Sequence, residues 1–436
     1  ASGQVSTPLL TEKSFTLSPI PLRGSGKRLN RNSDMKIVID ENIPFIRGAF
    51  ERWADVVYAP GRSIDARMVA DADALIVRTR TRCDAALLKG SSVRIVASAT
   101  IGFDHIDTLW LEQNGIKWAN APGCNSGSVM QYITSLLFFL AEKHSFDPCS
   151  MTLGIVGVGN VGSKVARAAG AIGMRVLLND PPLQRQKEGS EDFRMEAGRG
   201  GTENHGTDLY TEAGRGGTEF HPLRTLLTDC DIITFHVPLT REGDDKTFHL
   251  ADRDILSRPG RQKIIINSSR GEVVDNLALR EALKSGRVRG AALDVWEGEP
   301  AADPQLIELA DIATPHIAGY SVDGKANATI SSVGAVAAEL GLPMHDWAPA
   351  ELPQPAMPLI DLTGKGGATA VEIVAHAVKH TYNVKEDDLL FRNNRENFEY
   401  LRDNYRIRRE FSSYRVKTND PEAERILGKL GFQIIK

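Results

Sequence analysis

A glycine-rich stretch near the middle of the chain constrains its fold more than any other feature of the sequence. Residues 152–180 read TLGIVGVGNVGSKVARAAGAIGMRVLLND, in which a short apolar run ends at the pattern GVGNVG and a second apolar run follows a helix-like segment. Strands that are buried on both faces of a parallel sheet consist of such continuous apolar runs. The stretch therefore predicts a strand, a tight turn, a helix and a second strand, which is the arrangement that binds dinucleotides.

The three glycines of this turn meet three different geometric demands. Gly157 allows the tight turn, Gly159 lets the backbone approach a pyrophosphate, and Gly162 lets the helix lie close to the strand. The N–H groups of the first helical turn then face the phosphates. We assign the three glycines to the cofactor site together with the two residues between them, Asn160 and Val161.

An acidic residue closes the second predicted strand of this unit. Asp180 lies about twenty residues beyond the glycine turn, where a carboxylate can accept hydrogen bonds from the ribose hydroxyls of NAD. The same negative charge would repel the 2′-phosphate of NADP. The sequence therefore predicts NAD as the cofactor and places Asp180 in its binding site.

The composition is that of a globular protein with more than one domain. The chain has 436 residues, of which 42% are hydrophobic, and its net charge is −4 with an isoelectric point near 6.3. Because domains typically contain about 100 to 200 residues, we predict two or three of them. The weak negative charge gives no reason to expect nucleic acid or an anionic membrane as a partner.

The cysteines and the apolar runs bear on the compartment of the protein. Cys83, Cys124, Cys149 and Cys230 are scattered and form no CxxC motif, which favours a reduced protein and gives no sign of a metal site. The longest mainly apolar run, residues 133–141, is far shorter than the roughly 20 residues that cross a bilayer. We therefore expect a cytoplasmic protein without a transmembrane segment.

Strand-like and helix-like runs alternate over most of the chain, which predicts an α/β fold with doubly wound parallel sheets. We expect a flavodoxin-like first domain, a Rossmann-type NAD domain and a small C-terminal α+β domain. Their predicted bounds are residues 35–127 completed by 320–340, residues 128–319, and residues 341–436.

Two segments fall outside this pattern. Residues 1–34 are rich in Ser, Pro and Gly without apolar periodicity, and we expect a disordered tail or a vector-derived segment. Residues 195–219 contain the octapeptide EAGRGGTE twice, and this glycine-rich composition predicts a flexible insertion within the NAD domain.

The apolar runs also predict individual elements. In the first domain we predict a helix at residues 43–53 and strands at 36–39, 74–77 and 95–97. A further helix is expected to reach about residue 142 and to enter the NAD domain. The later strands of the NAD domain are predicted at residues 232–236, 263–267, 289–293 and 311–313.

Polar residues follow three predicted strands of the NAD domain. Arg270 follows the strand at 263–267, Asp294 and Glu299 follow the next strand, and His316 follows the last. Ligands bind at the carboxyl ends of the strands in open parallel sheets. Removal of a hydride from a 2-hydroxy acid needs a base for the hydroxyl proton, a cation for the carboxylate and a nicotinamide opposite the carbon. These side chains supply the base and the cation beside the predicted NAD site.

The segments SSRG, DVWEGEP and TPHIAG, which carry these residues in this order, resemble the catalytic segments of the D-isomer-specific 2-hydroxyacid dehydrogenases. The resemblance extends over residues 35–340. It implies that Arg270 orients the substrate carboxylate and polarises the C2 oxygen. It also implies that His316 accepts the hydroxyl proton and that Glu299 stabilises the resulting imidazolium.

The resemblance assigns binding roles to further residues. Asp294 is expected to line the nicotinamide side of the site. The other residues implied to contact the cofactor are Val237, Ser268, Ser269 and Gly319. Those implied to contact the substrate are Thr79, Thr100 and Tyr320. For His105 we expect a packing role, and for His236 a structural or cofactor-lining role.

Within the family, the opening KIVIDENIPF and the segments TIGFDHID and PGCNSGSV resemble members that oxidise a phosphorylated four-carbon acid. A phosphate needs cations, and Arg78 is the predicted contact, with Arg80 and Arg82 as further candidates and a solvated strand edge as the alternative. Two other functions stay open. They are oxidation of 3-phosphoglycerate or another 2-hydroxy acid, and binding of a dinucleotide without turnover.

The C-terminal domain resembles the dimerisation domain of those members. One predicted helix carries apolar residues at Val371, Ile373, Val374, Ala377 and Val378, and a small domain must bury such a face against something. We therefore expect a two-fold homodimer formed through this domain, with a regulatory ligand-binding role as the alternative.

Overall fold

Three parallel sheets organise the protein in a computed structural model that describes residues 35–186, 219–258, 262–344 and 346–436. The expected N-terminal tail, residues 1–34, lies outside the described residues, as does the expected insertion up to residue 218. The predicted α/β fold with parallel sheets is confirmed.

The first sheet has five parallel strands in the order β2-β1-β3-β4-β5. Its strands are β1 (Lys36–Asp40), β2 (Asp55–Ala59), β3 (Ala74–Val77), β4 (Ile95–Ser98) and β5 (Lys117–Ala119). The helices between them are α1 (Ala66–Val69), α2 (Ala85–Leu88) and α3 (Thr108–Gln113). This strand order is that of flavodoxin-like sheets, so the predicted class of the first domain is confirmed.

The predicted helix at residues 43–53 is wrong. Phe45 and Gly48 have positive φ angles of 64° and 87°, and this left-handed conformation cannot continue a right-handed helix. The segment forms a series of turns instead. Its apolar side chains are still used, because Ile46 and Phe50 are fully buried in a core with β1, β3 and β4.

The second sheet has six parallel strands in the order β11-β10-β9-β8-β6-β7. They are β6 (Thr152–Val156), β7 (Arg175–Asn179), β8 (Ile232–Phe235), β9 (Lys263–Asn267), β10 (Val288–Leu293) and β11 (Ile312–Ala313). The helices around this sheet are α4 (Ser126–His144), α5 (Gly162–Ile172), α6 (Leu223–Asp229), α7 (Arg253–Ser257), α8 (Asn276–Lys284) and α9 (Pro304–Leu309). The predicted Rossmann-type domain is confirmed.

A single bridge lies where a Rossmann sheet has a further strand beyond β7. Phe220 pairs in parallel with Leu178, and the N–H of His221 donates to the Leu178 oxygen at 2.7 Å. Nδ2 of Asn179 donates to the His221 oxygen at 2.8 Å. The described chain therefore resumes at the β7 edge of the sheet, close to Asp180.

Helix α10 (Val322–Leu340) connects the second sheet back to the first. It begins after Ser321, whose Oγ accepts a hydrogen bond from the Gly324 N–H at 2.8 Å. Val333 and Val336 of this helix are fully buried in the core that holds β1, β3 and β4. The helix thus packs on the first sheet, and the domain bounds given above stay a prediction.

The third sheet is small and parallel, with the order β12-β13-β14. Its strands are β12 (Leu359–Asp361), β13 (Arg415–Lys417) and β14 (Gln433–Ile434). The accompanying helices are α11 (Ala370–Thr381), α12 (Val384–Asn393), α13 (Phe398–Asp403) and α14 (Pro421–Leu430). A small C-terminal α+β unit, as predicted, is therefore present.

The third sheet and its helices share one hydrophobic core with the second sheet. The ring of Tyr382, which follows α11, lies 6.1 Å from the ring of Tyr132 in α4. Oγ of Ser135 donates to the main-chain oxygen of Tyr382 at 3.0 Å. In α12, Asp388 Oδ1 accepts the N–H of Ala313, the last residue of β11, at 2.7 Å. The C-terminal helices therefore cover the β11 edge of the second sheet.

The apolar helix face on which the expected homodimer rested is buried within the chain. Four of its five residues are at most 4% exposed and belong to the shared core; they are Ile373, Val374, Ala377 and Val378. Val371 is half-buried. Helices α4 and α14 contact α11, so the premise that this face needs a second copy of the chain is wrong.

Three properties bear on compartment and cofactor. Within the described ranges, no helix combines the length and apolar character that crossing a membrane requires. In the same part of the chain, no group of three or more His, Cys, Asp or Glu side chains could hold a metal ion. Cys83, Cys124 and Cys230 are free.

Candidate active site

Parallel pairing aligns the carboxyl ends of the strands of the second sheet. The aligned residues, in the sheet order β7, β6, β8, β9, β10 and β11, are Asn179, Val156, Phe235, Asn267, Leu293 and Ala313. The glycine turn follows β6 directly, while Asp180, Arg270, Glu299 and His316 follow other strands of this set. The predicted cofactor and catalytic segments therefore meet at one edge of the sheet, where such sheets bind ligands.

The glycine turn has two positions that the fold requires and one that faces open space. Gly157 has a φ of 87°, and a Cβ there would lie 2.6 Å from the oxygen of His236. A Cβ on Gly162 would lie 1.9 Å from the oxygen of Gly157. By contrast, a Cβ on Gly159 would meet no atom within 4 Å. The open side of Gly159 is what an approaching pyrophosphate needs.

The start of helix α5 is open to an anion. Val161 occupies the N-cap position, and no side chain caps the first turn. The preceding residue, Asn160, is exposed, and its side chain packs against Gly123, 2.7 Å from where a Cβ on that glycine would lie. Because uncapped N–H groups and the helix dipole attract negative charge, this turn fits the phosphates of NAD.

Asp180 is held beside the glycine turn by main-chain hydrogen bonds. Its Oδ2 accepts the N–H of Val158 at 2.8 Å, and its Oδ1 accepts the N–H of Leu183 at 3.0 Å. Each carboxylate oxygen has a second lone pair, so the group can also accept hydrogen bonds from two ribose hydroxyls. Its contact with the ribose stays a prediction.

The imidazole of His316 and the carboxylate of Glu299 form a hydrogen-bonded pair. Nδ1 of His316 lies 2.8 Å from Oε2 of Glu299, and Oε1 of Glu299 accepts the N–H of Trp296 at 2.9 Å. Burial acts to raise the pKa of Glu299, but the hydrogen bond and charge of His316 hold that pKa below its ordinary value. A carboxylate on Nδ1 leaves Nε2 as the atom that can take a proton from a substrate.

Asp294 holds the loop that carries His316. Its carboxylate, 1% exposed, accepts the hydroxyl of Thr314 at 2.7 Å. It also accepts the N–H groups of Ile317 at 2.8 Å and Ala318 at 2.9 Å. His316 itself has a φ of 58°, and its N–H donates to the main-chain oxygen of Asp294 at 2.7 Å. Asp294 thus positions His316, and its contact with the nicotinamide stays a prediction.

Arg270 is exposed at the end of a loop that is fixed from within. Nδ2 of Asn267 donates to the Arg270 oxygen at 2.8 Å, and Oδ1 of Asn267 accepts the Ser269 N–H at 3.1 Å. The guanidinium donates to the Ser269 oxygen at 2.7 Å. Ser268 Oγ is buried and has no hydrogen-bond partner among the described residues. The loop therefore offers a cation for a carboxylate and a hydroxyl for the cofactor.

Val237 and Gly319, two further predicted cofactor contacts, lie in this region. Cγ1 of Val237 lies 2.8 Å from where a Cβ on Gly157 would be, so it packs against the glycine turn. A Cβ on Gly319 would lie 2.1 Å from Nδ2 of Asn125. Gly319 is thus required by the packing of its own loop, and the contacts of both residues with NAD stay a prediction.

His236 and His105 have structural surroundings. Nε2 of His236 lies 3.0 Å from Oγ1 of Thr234, and burial lowers the pKa of His236 to about 3. Nε2 of His105 lies 3.1 Å from Oγ of Ser98, and burial lowers the pKa of His105 as well. Neither imidazole is paired with a carboxylate in the described part of the chain, unlike His316.

The first sheet also presents polar residues at its carboxyl edge. Val77 of β3 is in register with Ser98 of β4, so Thr79 and Thr100 follow neighbouring strand ends. Thr79 is exposed. Oγ1 of Thr100 is half-buried and lies 2.7 Å from Oγ of Ser98. Both threonines can face a substrate, and their contacts with it stay a prediction.

The three arginines after β3 have different surroundings. Arg78 is half-buried, and its Nη1 donates to the oxygen of Asn42 at 3.2 Å. Arg80 is exposed. Arg82 is paired with Asp84 at 2.9 Å. Of the three, Arg82 already has an anion, which leaves Arg78 and Arg80 as the candidates for a phosphate.

Side chains of the C-terminal region reach this site, and the sequence reasoning missed them. The ring of Tyr405 packs edge-on against Tyr320 with centroids 5.9 Å apart, and Cζ of Arg402 lies 5.8 Å from the Tyr320 centroid. Arg408 is buried, and its Nη2 donates to the oxygen of Ala318 at 2.5 Å. No local pattern could have revealed these contacts, because Arg408 lies 90 residues beyond Ala318 in the sequence.

Two family models match the chain. Residues 141–199 and 200–318 match "D-isomer specific 2-hydroxyacid dehydrogenase, NAD binding domain". Residues 352–431 match "Domain of unknown function (DUF3410)". The first match includes the glycine turn and Asp180, and it confirms NAD as the predicted cofactor.

Solved structures of other proteins share the fold. The D-lactate dehydrogenase of Aquifex aeolicus, complexed with NAD and lactic acid, is 25% identical with a TM-score of 0.51 and covers 70% of this chain and 95% of its own. The TT0316 protein from Thermus thermophilus is 24% identical with a TM-score of 0.52 and covers 73% of this chain and 99% of its own.

The chain is more similar in sequence to proteins named erythronate-4-phosphate dehydrogenase. The protein of Bacteroides thetaiotaomicron is 44% identical over 384 residues, which cover 88% of this chain and 99% of that relative. The protein of Klebsiella pneumoniae is 40% identical over 405 residues, which cover 92% and 99%. The chain therefore belongs to the D-isomer specific 2-hydroxyacid dehydrogenase family and, within it, to the group of the erythronate-4-phosphate dehydrogenases.

Proposed function

We propose that this protein oxidises 4-phospho-D-erythronate with NAD. The product is 2-oxo-3-hydroxy-4-phosphobutanoate, and the step belongs to the synthesis of pyridoxal phosphate. The observation that carries the proposal is the pair of His316 and Glu299, 2.8 Å apart, at the sheet edge that also holds the glycine turn. The substrate follows from the relatives, which bear its name and match over 99% of their length.

The reaction removes a proton from the C2 hydroxyl and a hydride from C2. NAD, when bound, accepts the hydride. Nε2 of His316 takes the proton, and Glu299 on Nδ1 stabilises the imidazolium that forms. Arg270 binds the substrate carboxylate and stabilises the negative charge that develops on the C2 oxygen. Buried Asp294 keeps the imidazole in place during the transfer.

The test is an assay of NADH formation with a panel of 2-hydroxy acids. We expect the highest kcat/KM for 4-phospho-D-erythronate, ahead of 3-phosphoglycerate, D-lactate and unphosphorylated D-erythronate. His316→Ala should lower kcat by about 10²- to 10⁴-fold, the usual contribution of a general base, while NADH binding is retained. His376→Ala, at an exposed position of α11, is the matched control.

Two outcomes would contradict the proposal. Faster turnover of 3-phosphoglycerate would keep the chemistry and change the substrate. Tight NADH binding without turnover of any acid in the panel would mean a dinucleotide-binding protein, and the pair of His316 and Glu299 argues against that outcome.

We also propose that the protein is a homodimer joined through its C-terminal region. Large apolar side chains are exposed there, namely Leu389 (49%), Leu390 (49%), Ile407 (63%) and Tyr400 (65%). Exposed apolar surface, such as that of the consecutive Leu389 and Leu390, is typical of interaction sites, and symmetric pairs are the commonest assemblies. Light scattering of the full chain at micromolar concentration should report a dimer, and Leu389→Glu with Leu390→Glu should yield monomers. A monomeric wild-type chain would contradict this proposal.

We infer a cytoplasmic location as well. Cys83, Cys124 and Cys230 are free, and Cys124 is partly exposed. Exposed thiols persist in reducing compartments, whereas oxidising ones favour disulfides. Fractionation of the source cells should recover the protein with cytoplasmic markers, and recovery from an oxidising compartment would contradict the inference.

A further inference from the structure

Two cations, Lys325 and Arg402, lie beside the ring of Tyr320, and a third, Arg78, lies near enough to Lys325 to lower its pKa. Arg78 follows β3 of the first sheet, Lys325 lies in the first turns of α10, and Arg402 belongs to α13 beside the third sheet. Nζ of Lys325 lies 5.5 Å from the centroid of the Tyr320 ring, and Cζ of Arg402 lies 5.8 Å from it. Tyr320 itself follows His316 by four residues. A positive cluster therefore adjoins the proposed base.

Lys325 has no carboxylate to balance its charge. In the described part of the chain, no Asp or Glu oxygen lies within 4 Å of its Nζ, and its contact is the ring of Tyr320. The side chain is half-buried. Burial and the nearby charge of Arg78 both lower the pKa of Lys325. A partly desolvated ammonium beside a guanidinium is unfavourable unless an anion joins them.

No Asp or Glu oxygen among the described residues lies within 4 Å of the guanidinium nitrogens of Arg402. Its Nε atom is buried with no hydrogen-bond partner there, and Cζ contacts the rings of Tyr320 and Phe398. The charge of Arg402 contributes to the lowered pKa of Glu299, so it acts on the partner of the base. A guanidinium with an unused buried donor is a ready site for an oxyanion.

Two other arginines of the C-terminal region are paired with carboxylates. Arg392 is paired with Asp388 at 2.8 Å, and Arg409 is paired with Asp323 at 3.0 Å. These two arginines stabilise the fold and have no donor geometry to spare for a small ligand. Arg402 therefore differs from them in having its charge turned toward Tyr320.

We propose that Lys325 and Arg402, together with Arg78, bind the phosphate group of the substrate. This inference rests on the proposed function for the identity of that substrate. The phosphorus of a four-carbon 4-phosphate lies about 5 Å from C2, given ordinary bond lengths, so its ligands must adjoin the residues that act on C2. Lys325 and Arg402 contact the ring of Tyr320, and the charge of Arg402 acts on Glu299, the partner of His316. The cations therefore meet this requirement.

A phosphate satisfies what the three side chains lack. A dianion with three terminal oxygens can accept hydrogen bonds from an ammonium and two guanidinium groups at once, and such charge-assisted bonds are the strong ones. A lactate-sized acid has no group that would reach these cations. The cluster would therefore select phosphorylated acids over unphosphorylated ones.

The test compares Lys325→Met and Arg402→Met, each of which removes the charge and keeps an apolar stem. We expect each change to raise KM for 4-phospho-D-erythronate by about 10- to 100-fold, the equivalent of one charge-assisted hydrogen bond. KM for unphosphorylated D-erythronate should change less than about threefold, within the scatter of such comparisons. Lys365→Met, at an exposed position between β12 and α11, is the control.

A second measurement separates this inference from the proposed function. Binding of inorganic phosphate to the NADH complex, followed by calorimetry, should weaken about tenfold or more in Lys325→Met and Arg402→Met, whichever acid the wild type turns over. Equal losses with both substrates, or unchanged phosphate binding, would overturn the phosphate subsite. A wild type that prefers another phosphorylated acid, with phosphate binding lost in the variants, would overturn only the substrate assignment.

Discussion

Nη2 of Arg408 lies 2.5 Å from the main-chain oxygen of Ala318, two residues beyond the proposed base His316. The same nitrogen lies 3.3 Å from the oxygen of Ser128 in α4. The N–H of Val322 in turn donates to the Arg408 oxygen at 2.9 Å. A buried side chain from the C-terminal region thus ties the loop of His316 to helix α4.

Replacement of this side chain should impair turnover more than cofactor binding. Arg408→Met leaves the two carbonyl groups without their donor, at a cost of about 1 to 3 kcal/mol each, and frees the loop that carries His316. We expect kcat to fall by about 10- to 100-fold, with NADH affinity retained and partial rescue in Arg408→Lys. Arg425→Met, which removes an exposed arginine paired with Glu422, is the control. Unchanged kcat would show that the loop holds its geometry without Arg408.

Replacement of Glu299 should slow the proton transfer. Glu299→Gln keeps the shape of the side chain but removes the charge that stabilises the imidazolium of His316, so kcat should drop by about 10²- to 10⁴-fold. The matched control is Glu297→Gln, two residues earlier, because Glu297 pairs with a different histidine, His249. Steady-state kinetics on both variants give the answer. A wild-type kcat in Glu299→Gln would remove Glu299 from the mechanism.

The Glu299 pair should also stabilise the fold in a pH-dependent way. The pKa of Glu299 is below its ordinary value in the folded protein, so the stabilisation is complete above the unfolded-state pKa of about 4.3 and is lost as the pH falls through the lower folded-state pKa. Urea unfolding of the wild type and Glu299→Gln should differ most near neutral pH. The difference should shrink below about pH 4. A difference that grows on acidification would contradict the sign of this shift.

Replacement of two glycines of the turn should affect different properties, NADH affinity in one case and the stability of the fold in the other. Gly159→Ala adds a methyl group where no atom lies within 4 Å, so the protein should fold normally and bind NADH about 10- to 100-fold more weakly. Gly162→Ala drives its Cβ to 1.9 Å from the oxygen of Gly157 and should destabilise the fold itself. Thermal unfolding and NADH fluorescence distinguish the two. Normal NADH affinity in a folded Gly159→Ala would contradict the predicted approach of the pyrophosphate to this glycine.

His236 should stay neutral over the physiological range. Burial lowers its pKa to about 3, whereas an unfolded histidine titrates near about 6.5, so the unfolded chain binds more protons between these values and stability falls as the pH falls through them. In NMR spectra the ring signals of His236, assigned with His236→Asn, should not shift between about pH 8 and about pH 5. A titration inside that range would contradict the buried, neutral assignment.

The parts of the site that were predictable depend on local spacing. The glycine turn, Asp180 and the strand-end residues His316 and Glu299 could be placed because parallel pairing aligns strand ends, which turns order in sequence into proximity in space. The register of β9, β10 and β11 is set by buried apolar runs that are visible in the sequence.

The parts that escaped prediction depend on backbone conformation or on distant contacts. Apolar spacing suggested a helix at residues 43–53, but the segment cannot continue as a helix because Phe45 has a positive φ. Positive φ angles are expected at glycine, so a phenylalanine in the sequence does not indicate one. Arg402 and Arg408 could not be assigned to the site, because their positions follow from the core that the second and third sheets share. The same core removed the reason to expect a second copy against α11.

Because the second and third sheets share one core, the C-terminal region cannot be deleted without exposing that core. Deletion of the codons after residue 341 would remove Asp388, which accepts the N–H of Ala313, and Arg392, which donates to the oxygens of Ile307 and Ala310. It would also expose the apolar face of α4. A shortened reading frame would therefore encode a chain with an open sheet edge, prone to aggregation, and not a smaller dehydrogenase.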